Sequence, residues 1–291
     1  MTIRIYFPVS CLLAPVLAWS QQANVNLDYN PQKNTQNLVP FSAPLNSPDV
    51  HDDGTVTFRL KAAATKEVRL SGVAILTALG RSKTYPVLYL VGGSGELPSN
   101  WIYDGRANFI LDNLLAEKKA VPMVLVIPNN QVVHRNHPKH TELTFKTFEA
   151  ELRRHVIPLV EREYSVRRDP KGRALSGLSM GGRHTMFVGF NSLDLFASFG
   201  VLSAGDVDSE KSIAKFLNDL GVNKKVDDLF VGQGTEEAAG RMGERCIALH
   251  KALETHHIKH EYYVGGYGGH DWGTWRHLLY YQFLPNLWRK N

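Results

Sequence analysis

The sequence predicts an α/β fold, in which a doubly wound, mostly parallel sheet carries helices on both faces. From residue 85 onward, strand-like runs alternate with helix-like runs, which is typical of parallel strands joined by right-handed crossovers. Several of the strand-like runs are continuously apolar, as strands buried on both faces are. The chain has 291 residues, of which 43% are hydrophobic, so one large domain can bury an ample core without disulfides.

Six strands and four helices follow from this alternation. The strands are expected over 87–91, 123–127, 174–177, 198–203, 228–231 and 261–264, and the helices over 108–118, 144–164, 182–190 and 238–255. In the helix over 144–164, an apolar stripe that includes Phe148, Leu152 and Leu159 is expected to face the core. Pro158 lacks a backbone N–H, so it should interrupt and kink this helix.

The first 20 residues predict a secretory signal peptide. A single basic residue, Arg4, precedes an apolar stretch that Pro8 and Pro15 break, which is too short for a membrane span. The alternative is a buried N-terminal strand. Removal of the leader would take Cys11 with it and leave Cys246 as the one thiol, without an internal disulfide. The protein is therefore expected to be secreted, either periplasmic or extracellular, with no membrane association.

Residues 21–47 are rich in Asn, Gln, Pro and Ser and predict a polar linker or arm. Residues 48–83 predict a short β segment, because 55–60 alternate as a strand does and 66–73 are a candidate partner strand. The catalytic domain is expected over 84–291. The formal net charge of +5 is mild and mixed along the chain, so no nucleic-acid partner is expected.

Two further patterns are discounted. Gly92-Gly-Ser-Gly-Glu96 is glycine-rich but lacks the Gly-Lys-Ser/Thr ending of a phosphate loop, which argues against nucleotide binding. The histidine-rich stretch His134-Arg-Asn-His-Pro-Lys-His140 has no neighbouring carboxylate or thiol in a known ligand spacing. It predicts a solvated loop at the rim of the site, and neither a metal nor a cofactor is expected.

The stretch Gly177-Leu-Ser-Met-Gly-Gly182 is the main candidate for a catalytic motif. A short apolar run leads into a serine flanked by glycines, and a helix-forming run follows, as in a strand-turn-helix turn that exposes a nucleophile. The backbone N–H of Met180 is expected at the start of the helix, where it can bind an oxyanion. Ser179 is therefore the candidate nucleophile.

The partners of such a serine are expected downstream, in the order acid and then histidine. His270 lies in the glycine-rich run Gly269-His-Asp-Trp-Gly-Thr-Trp275, from which its ring can reach a serine on another element. After the strand over 228–231 come Glu236 and Glu237, either of which can orient an imidazole. The glutamate that is not used is explained by the preference for acidic residues in a first helical turn.

These features together resemble the esterase D-like branch of the α/β-hydrolases, the feruloyl and acetyl-xylan esterases of carbohydrate esterase family 1. The resemblance covers residues 84–291 and rests on motifs in a fixed order: Tyr85-Pro-Val-Leu-Tyr-Leu-Val91, Gly92-Gly-Ser-Gly-Glu96, Asp104–Asn113, Val121–Pro128, Val156–Glu161, the Gly177–Gly182 run and Gly269–Trp275. It implies Ser179 as nucleophile, His270 as base and the backbone N–H of Ser94 as the second oxyanion donor.

The chain departs from the family pattern at two places. The family acid is an aspartate in a Gly-Thr-x-Asp turn, and the matching position here is Glu237, which keeps the charge. The family commonly has His-Gly before the oxyanion residue, where this chain has Gly92-Gly93. Relatives often carry a β-sandwich module before the hydrolase, so 48–83 is either a remnant of that module or the antiparallel edge of the hydrolase sheet.

The resemblance implies a secreted serine carboxylesterase that hydrolyses feruloyl (hydroxycinnamoyl) esters of plant cell-wall xylan through an acyl-enzyme. The alternatives are an acetyl-xylan, small-ester or siderophore esterase, an acyltransferase of the same fold, and a carbohydrate-binding protein without turnover. Three tryptophans are candidates for an aromatic wall that binds the substrate, with core packing as the alternative for each: Trp101, Trp272 and Trp275.

Overall fold

The structure, a computed structural model, describes residues 2–5, 49–50, 56–59, 83–133, 136–266 and 268–289. The chain divides into two units, Met1–Leu70 and Ser71–Asn291. Among the helices of the described ranges, none combines the length and the hydropathy that a membrane crossing requires.

The unit Met1–Leu70 contains a three-stranded antiparallel sheet. Its strands are β1 (Thr2–Ile5), β2 (Asp49–Val50) and β3 (Val56–Arg59), in the order β1-β3-β2. The strand expected over 55–60 is thus present as β3, and it pairs within this sheet rather than at the edge of the six-stranded sheet.

The segment predicted as a leader contributes β1, which pairs with β3 as the alternative N-terminal strand would. The rest of 1–20, the arm over 21–47 and the candidate partner strand over 66–73 lie outside the described residues. Cleavage of the leader therefore stays a prediction.

The unit Ser71–Asn291 is built on a six-stranded sheet in the order β5-β4-β6-β7-β8-β9, and all of its strand pairs are parallel. All six expected strands are present: β4 (Val87–Val91), β5 (Val124–Val126), β6 (Arg173–Leu178), β7 (Ser198–Leu202), β8 (Asp228–Gln233) and β9 (Glu261–Val264).

The helices of this unit connect the strands and continue to the C-terminus. They are α1 (Pro98–Tyr103), α2 (Ala107–Ala116), α3 (His140–Glu151), α4 (Ile157–Glu163), α5 (Met180–His184), α6 (Ser209–Ser212), α7 (Ala214–Leu217), α8 (Val222–Lys225), α9 (Thr235–Ala238), α10 (Arg241–Thr255), α11 (Trp272–His277) and α12 (Leu284–Asn286). π-Helical turns extend α3, α5 and α11 over Leu152–Val156, Thr185–Gly189 and Leu278–Phe283.

The helix expected over 144–164 is interrupted just before Pro158, as predicted, by the π-helical turn Leu152–Val156. Phe148 and Leu152 are buried as expected, but Leu159 is 44% exposed. A π-helical turn holds more residues than an α-helical turn, so it rotates every later side chain relative to the ideal 3.6-residue pattern. That rotation explains why the apolar stripe does not continue to Leu159.

Strands β4, β6 and β7 are buried on both faces of the sheet, which confirms the doubly wound architecture. Along β4, Val87, Tyr89 and Val91 belong to one core cluster, whereas Leu88 and Leu90 belong to the other. This is the period-2 alternation of a strand covered on both faces. Side chains of α3, α4 and α10 complete the first cluster, and side chains of α2, α11 and α12 complete the second.

The strand order reverses at β4. Its successor β5 lies on one side of it and β6 lies on the other, so the loops that follow β4 and β6 diverge at the carboxyl edge of the sheet. Open parallel sheets form a ligand-binding crevice at such a switch point. The two runs singled out in the sequence, Gly92–Glu96 and Gly177–Gly182, follow these two strands.

We expect Gly181→Ala to lower the free energy of unfolding by about 1–3 kcal/mol, toward the upper end of the range for overpacking. A Cβ at Gly181 would lie 2.4 Å from the carbonyl oxygen of Val91, a backbone atom in a buried strand that cannot easily move. Urea unfolding measures the change. Gly240→Ala is the matched control, because its Cβ would come no closer than 3.5 Å to any neighbour. An equal loss in both variants would contradict the steric argument.

Candidate active site

Ser179 occupies a sharp turn between β6, which ends at Leu178, and α5, which begins at Met180. Its backbone has φ 51° and ψ −115°, a conformation that a non-glycine residue rarely adopts. The backbone N–H of Ser179 donates to the carbonyl of Leu202 on β7, at 2.9 Å, which helps to hold the turn. The strand-turn-helix expected around the serine is therefore present.

A line of hydrogen bonds joins the three residues that the sequence proposes as nucleophile, base and acid. The Nε2 of His270 lies 2.9 Å from the Oγ of Ser179, and its Nδ1 lies 2.7 Å from the Oε1 of Glu237. A carboxylate can only accept at Nδ1, so it favours the tautomer that leaves Nε2 free to accept the serine proton. This is the geometry that a serine needs to attack an acyl carbon.

The structure distinguishes between the two candidate glutamates. Glu237 is 4% exposed and reaches His270, whereas Glu236 is exposed at the start of α9. The second carboxylate oxygen of Glu237 accepts a hydrogen bond from the Oγ of Ser203 at 2.6 Å and one from the N–H of Gly234 at 3.4 Å. A buried carboxylate with three donors is held in one orientation, which also fixes the imidazole.

Sequence reasoning did not identify Ser203 as part of this site. Ser203 follows β7 and has φ 51°, an unusual backbone conformation for serine. A polar residue directly after a buried parallel strand, beside the strand that leads to Ser179, is the signal that points to it. The partnership with Glu237 spans 34 residues and becomes visible only in the fold.

The tryptophans do not form the expected aromatic wall. Trp101 is 0% exposed and Trp275 is 5% exposed, and both belong to the core cluster on one face of the sheet. The rings form a chain of edge-to-face contacts, Trp101 to Trp272 at 5.2 Å and Trp272 to Trp275 at 5.2 Å. Trp272 alone of the three is half-buried. Core packing, the alternative considered for each residue, therefore describes Trp101 and Trp275.

Trp275, although buried in the core, contacts the catalytic candidate His270. Its ring meets the ring of His270 edge to face, with the centroids 5.1 Å apart. The hydrogen bond from Thr274 N–H to Asp271 Oδ1 caps α11 directly after His270. The loop that carries the histidine is thus anchored by the core on one side and by a helix cap on the other.

Ser94 and Met180, the two expected oxyanion donors, line the same cavity as Ser179. The loop before Ser94 is held by hydrogen bonds with three side chains. Glu96 accepts from the N–H of Gly93 at 2.5 Å, Asn130 donates to the carbonyl of Gly92 at 2.8 Å, and Gln131 donates to the carbonyl of Gly93 at 3.1 Å.

The sequence did not indicate these hydrogen bonds. Glu96 marks only the end of a glycine-rich run there, and Asn130 and Gln131 lie in the loop after a different strand, β5, which pairs with β4. Burial raises the pKa of the Glu96 carboxyl, and the hydrogen bond from Gly93 opposes that rise. The loop therefore has a fixed shape although it is rich in glycine.

His184 stabilises the turn that contains Ser179 from its buried side. It is fully buried, its Nδ1 lies 2.8 Å from the carbonyl oxygen of Met180, and the rings of Phe145 and Phe148 pack edge to face against it. Burial lowers the pKa of His184 to about 4. The side chain is therefore neutral in the folded protein at neutral pH, with Nδ1 donating to Met180.

We expect stability to fall as the pH drops from 6.5 toward 4. Because the pKa of His184 is lowered to about 4 in the folded state, the unfolded chain binds a proton in this window that the folded chain does not. The free energy of unfolding should decrease by about 2 kcal/mol between pH 7 and pH 5, at about 1.4 kcal/mol per pH unit. Urea titrations at several pH values measure it, and His184→Gln should have a shallower slope. Identical slopes in the two proteins would contradict the assignment.

The histidine-rich stretch lies only partly within the described residues. His134 is outside them, His137 is exposed and His140 is half-buried at the start of α3. Within the ranges that the structure describes, no group of three histidine, cysteine or acidic side chains is arranged to hold a metal ion.

Comparison with known proteins assigns the chain to a family. Residues 76–284 match the family model Esterase, described as "Putative esterase". The chain is 30% identical over 200 residues to an endo-1,4-beta-xylanase/feruloyl esterase of Xylanibacter ruminicola, an alignment that covers 69% of this chain and 26% of that protein. The chain thus spans about a quarter of the length of this curated relative.

Solved structures of the same kind share the fold. A ferulic acid esterase superposes with a TM-score of 0.60 at 27% identity, over 71% of this chain and 86% of that one. The feruloyl esterase module from Clostridium thermocellum, complexed with sinapinate, superposes with a TM-score of 0.58 at 28% identity, over 72% and 80%. Residues 76–284, which match the family model, include the whole six-stranded sheet and the three residues Ser179, His270 and Glu237. The chain therefore belongs to the esterase family and has the α/β-hydrolase fold of its feruloyl esterase members.

Proposed function

We propose that the protein is a secreted serine carboxylesterase that hydrolyses feruloyl or related hydroxycinnamoyl esters of plant cell-wall xylan. The hydrogen-bonded line from Ser179 through His270 to the buried Glu237 is the observation that carries the serine mechanism. The names of the relatives, a xylanase/feruloyl esterase and a module complexed with sinapinate, support the acyl group and the polysaccharide. Secretion rests on the predicted leader.

The proposed mechanism uses the hydrogen bonds among Ser179, His270 and Glu237. The Oγ of Ser179 attacks the ester carbonyl carbon while its proton passes to Nε2 of His270, and Glu237 stabilises the resulting imidazolium. The N–H groups of Ser94 and Met180 bind the oxyanion. The bond from the carbonyl carbon to the alkoxy oxygen breaks, and the alcohol leaves with the proton from His270. Water then attacks the carbonyl carbon of the acyl-serine and gives a proton to His270. The bond from that carbon to Oγ of Ser179 breaks, Oγ takes the proton back from His270, and the acid is released.

The size of the cavity favours a second candidate, an esterase for small acyl groups such as acetyl. The cavity beside Ser179 has a volume of about 100 Å³. Pockets that enclose drug-sized ligands measure about 300–1,000 Å³. An acetyl group fits within the smaller volume, whereas a feruloyl ring would extend beyond it along the open crevice.

Three substrates test the feruloyl esterase and the small-acyl esterase: methyl ferulate, feruloylated arabinoxylan oligosaccharides and acetylated xylan. Release of the free acid is measured for each. The proposal expects the highest kcat/KM on the feruloyl esters. Hydrolysis of acetylated xylan alone would favour the small-acyl candidate. No hydrolysis of any ester, 4-nitrophenyl acetate included, would overturn the esterase proposal itself.

A further inference from the structure

The cavity that contains Ser179 carries positive charge. Two arginines, Arg183 and Arg245, line it together with Ser179 and Met180, and none of the described residues that line it is a carboxylate. Arg183 lies on α5, directly after the nucleophile turn, and Arg245 lies on α10. Neither residue takes part in the hydrolysis steps described above.

Arg183 is held in place with part of its hydrogen-bonding capacity unused. Its guanidinium carbon lies 5.3 Å from the ring centre of Phe187 and 6.0 Å from that of Phe145. Among the residues that the structure describes, its charged contact is one long ion pair, 3.5 Å to Asp206, and its buried Nε has no hydrogen-bond partner. A guanidinium held over aromatic rings is preorganised to bind an anion, because little side-chain freedom is lost on binding.

Arg245 supplies a second positive charge, which Asp206 does not neutralise. Its side chain is half-buried, and within the described part of the chain its guanidinium forms no ion pair or hydrogen bond. Its backbone is fixed against the loop after β7, since a Cβ at Gly205 would lie 2.0 Å from the carbonyl oxygen of Arg245. Partial burial of a cation without a counter-charge is unfavourable, and binding of an anion would offset that cost.

Taking the proposed esterase function as its basis, we infer that, between two esters of otherwise equal structure, the protein prefers the one that carries a carboxylate, which Arg245 and Arg183 bind in the cavity beside Ser179. A carboxylate matches the planar, two-pronged donor geometry of a guanidinium. The anionic group belongs either to the acyl part or to the alcohol part of the ester. Both sources place the same chemistry beside the two arginines.

Two matched pairs of esters separate these sources. Monomethyl glutarate, with its carboxylate on the acyl side, is compared with methyl 4-carbamoylbutanoate, its neutral amide. On the alcohol side, 4-acetoxybenzoate is compared with 4-acetoxybenzamide. The quantity measured is the ratio of kcat/KM for the anionic ester to that for its amide, at low and at high salt, in the wild type and in the variants Arg245→Gln, Arg183→Gln and Arg241→Gln.

Arg241→Gln is the control, because Arg241 lies on the same helix, is exposed and is not among the residues that line the cavity. It removes the same unit of charge from the protein. We expect the wild type to favour the anionic member of at least one pair by about tenfold or more, in the range of a charge-assisted hydrogen bond. Arg245→Gln and Arg183→Gln should each lower that ratio several-fold, mainly through KM, and Arg241→Gln should not.

Three results would overturn the inference: ratios near one in both pairs, a preference for both amides, or a preference that persists in Arg245→Gln and Arg183→Gln. If the ester bonds of the amide-bearing substrates are cleaved as fast as those of the anionic substrates, the anion site is wrong and the esterase function is retained. If the wild type hydrolyses none of the four esters and not 4-nitrophenyl acetate either, the proposed function fails and the inference fails with it.

Discussion

Replacement of Ser179 by alanine is expected to lower kcat for ester hydrolysis by about five to six powers of ten, the loss that removal of a triad serine produces. The hydroxyl of Ser179 is the group that Nε2 of His270 contacts, at 2.9 Å, whereas the hydroxyl of Ser203 contacts the second carboxylate oxygen of Glu237. The variant keeps the backbone and loses one oxygen, so the fold is expected to persist. Turnover of 4-nitrophenyl acetate and methyl ferulate, together with the melting temperature, measures both properties.

Ser99→Ala serves as the control for this experiment, since Ser99 is an exposed serine on α1 that does not line the cavity. It should retain the wild-type kcat. If purified Ser179→Ala turned over at the wild-type rate with an unchanged melting temperature, another residue would have to be the nucleophile and the serine mechanism would be wrong.

The sequence predicts the sheet well because each of its strands carries its own signal. Runs such as 87–91 and 123–127 are apolar at every position, and only a strand covered on both faces needs that pattern. The four-residue helices α6, α7 and α8 carry no such signal. A single turn is too short to show a period, and such helices are stabilised mainly by tertiary contacts. Leu159 shows the same limit, since the preceding π-helical turn shifts the pattern.

Within the site, the sequence identifies the residues that a local motif marks and misses those that reach it through space. Ser179 and His270 lie in glycine-rich runs whose composition indicates exposed turns. Ser203, Asn130 and Gln131 approach the site from the ends of other strands, and sheet order is what brings them together. The tryptophans illustrate the opposite error. Trp101 and Trp275 stand near site motifs in the sequence, yet their large apolar surfaces are buried in the core.

Neutralising Glu237 to glutamine is expected to reduce kcat by about three to four powers of ten, close to the effect of the corresponding change in a Ser-His-Asp triad. The carboxylate accepts from Nδ1 of His270 at 2.7 Å, which keeps Nε2 free to take the proton of Ser179. A glutamine amide can instead donate to Nδ1, and the ring proton then moves to Nε2, where it blocks proton transfer from the serine. The imidazolium that forms during the reaction also loses its neighbouring negative charge.

Glu236→Gln is the matched control, because Glu236 precedes Glu237 in α9, carries the same charge and is exposed. Its kcat should stay within a few-fold of the wild type, since an exposed carboxylate does not orient the imidazole. The two single variants are compared on one substrate at one pH, with circular dichroism to verify the fold. If Glu236→Gln suffered the large loss and Glu237→Gln the small one, the acid would be Glu236. Buried Glu237, with its hydrogen bonds from Ser203 and Gly234, would then be a structural carboxylate.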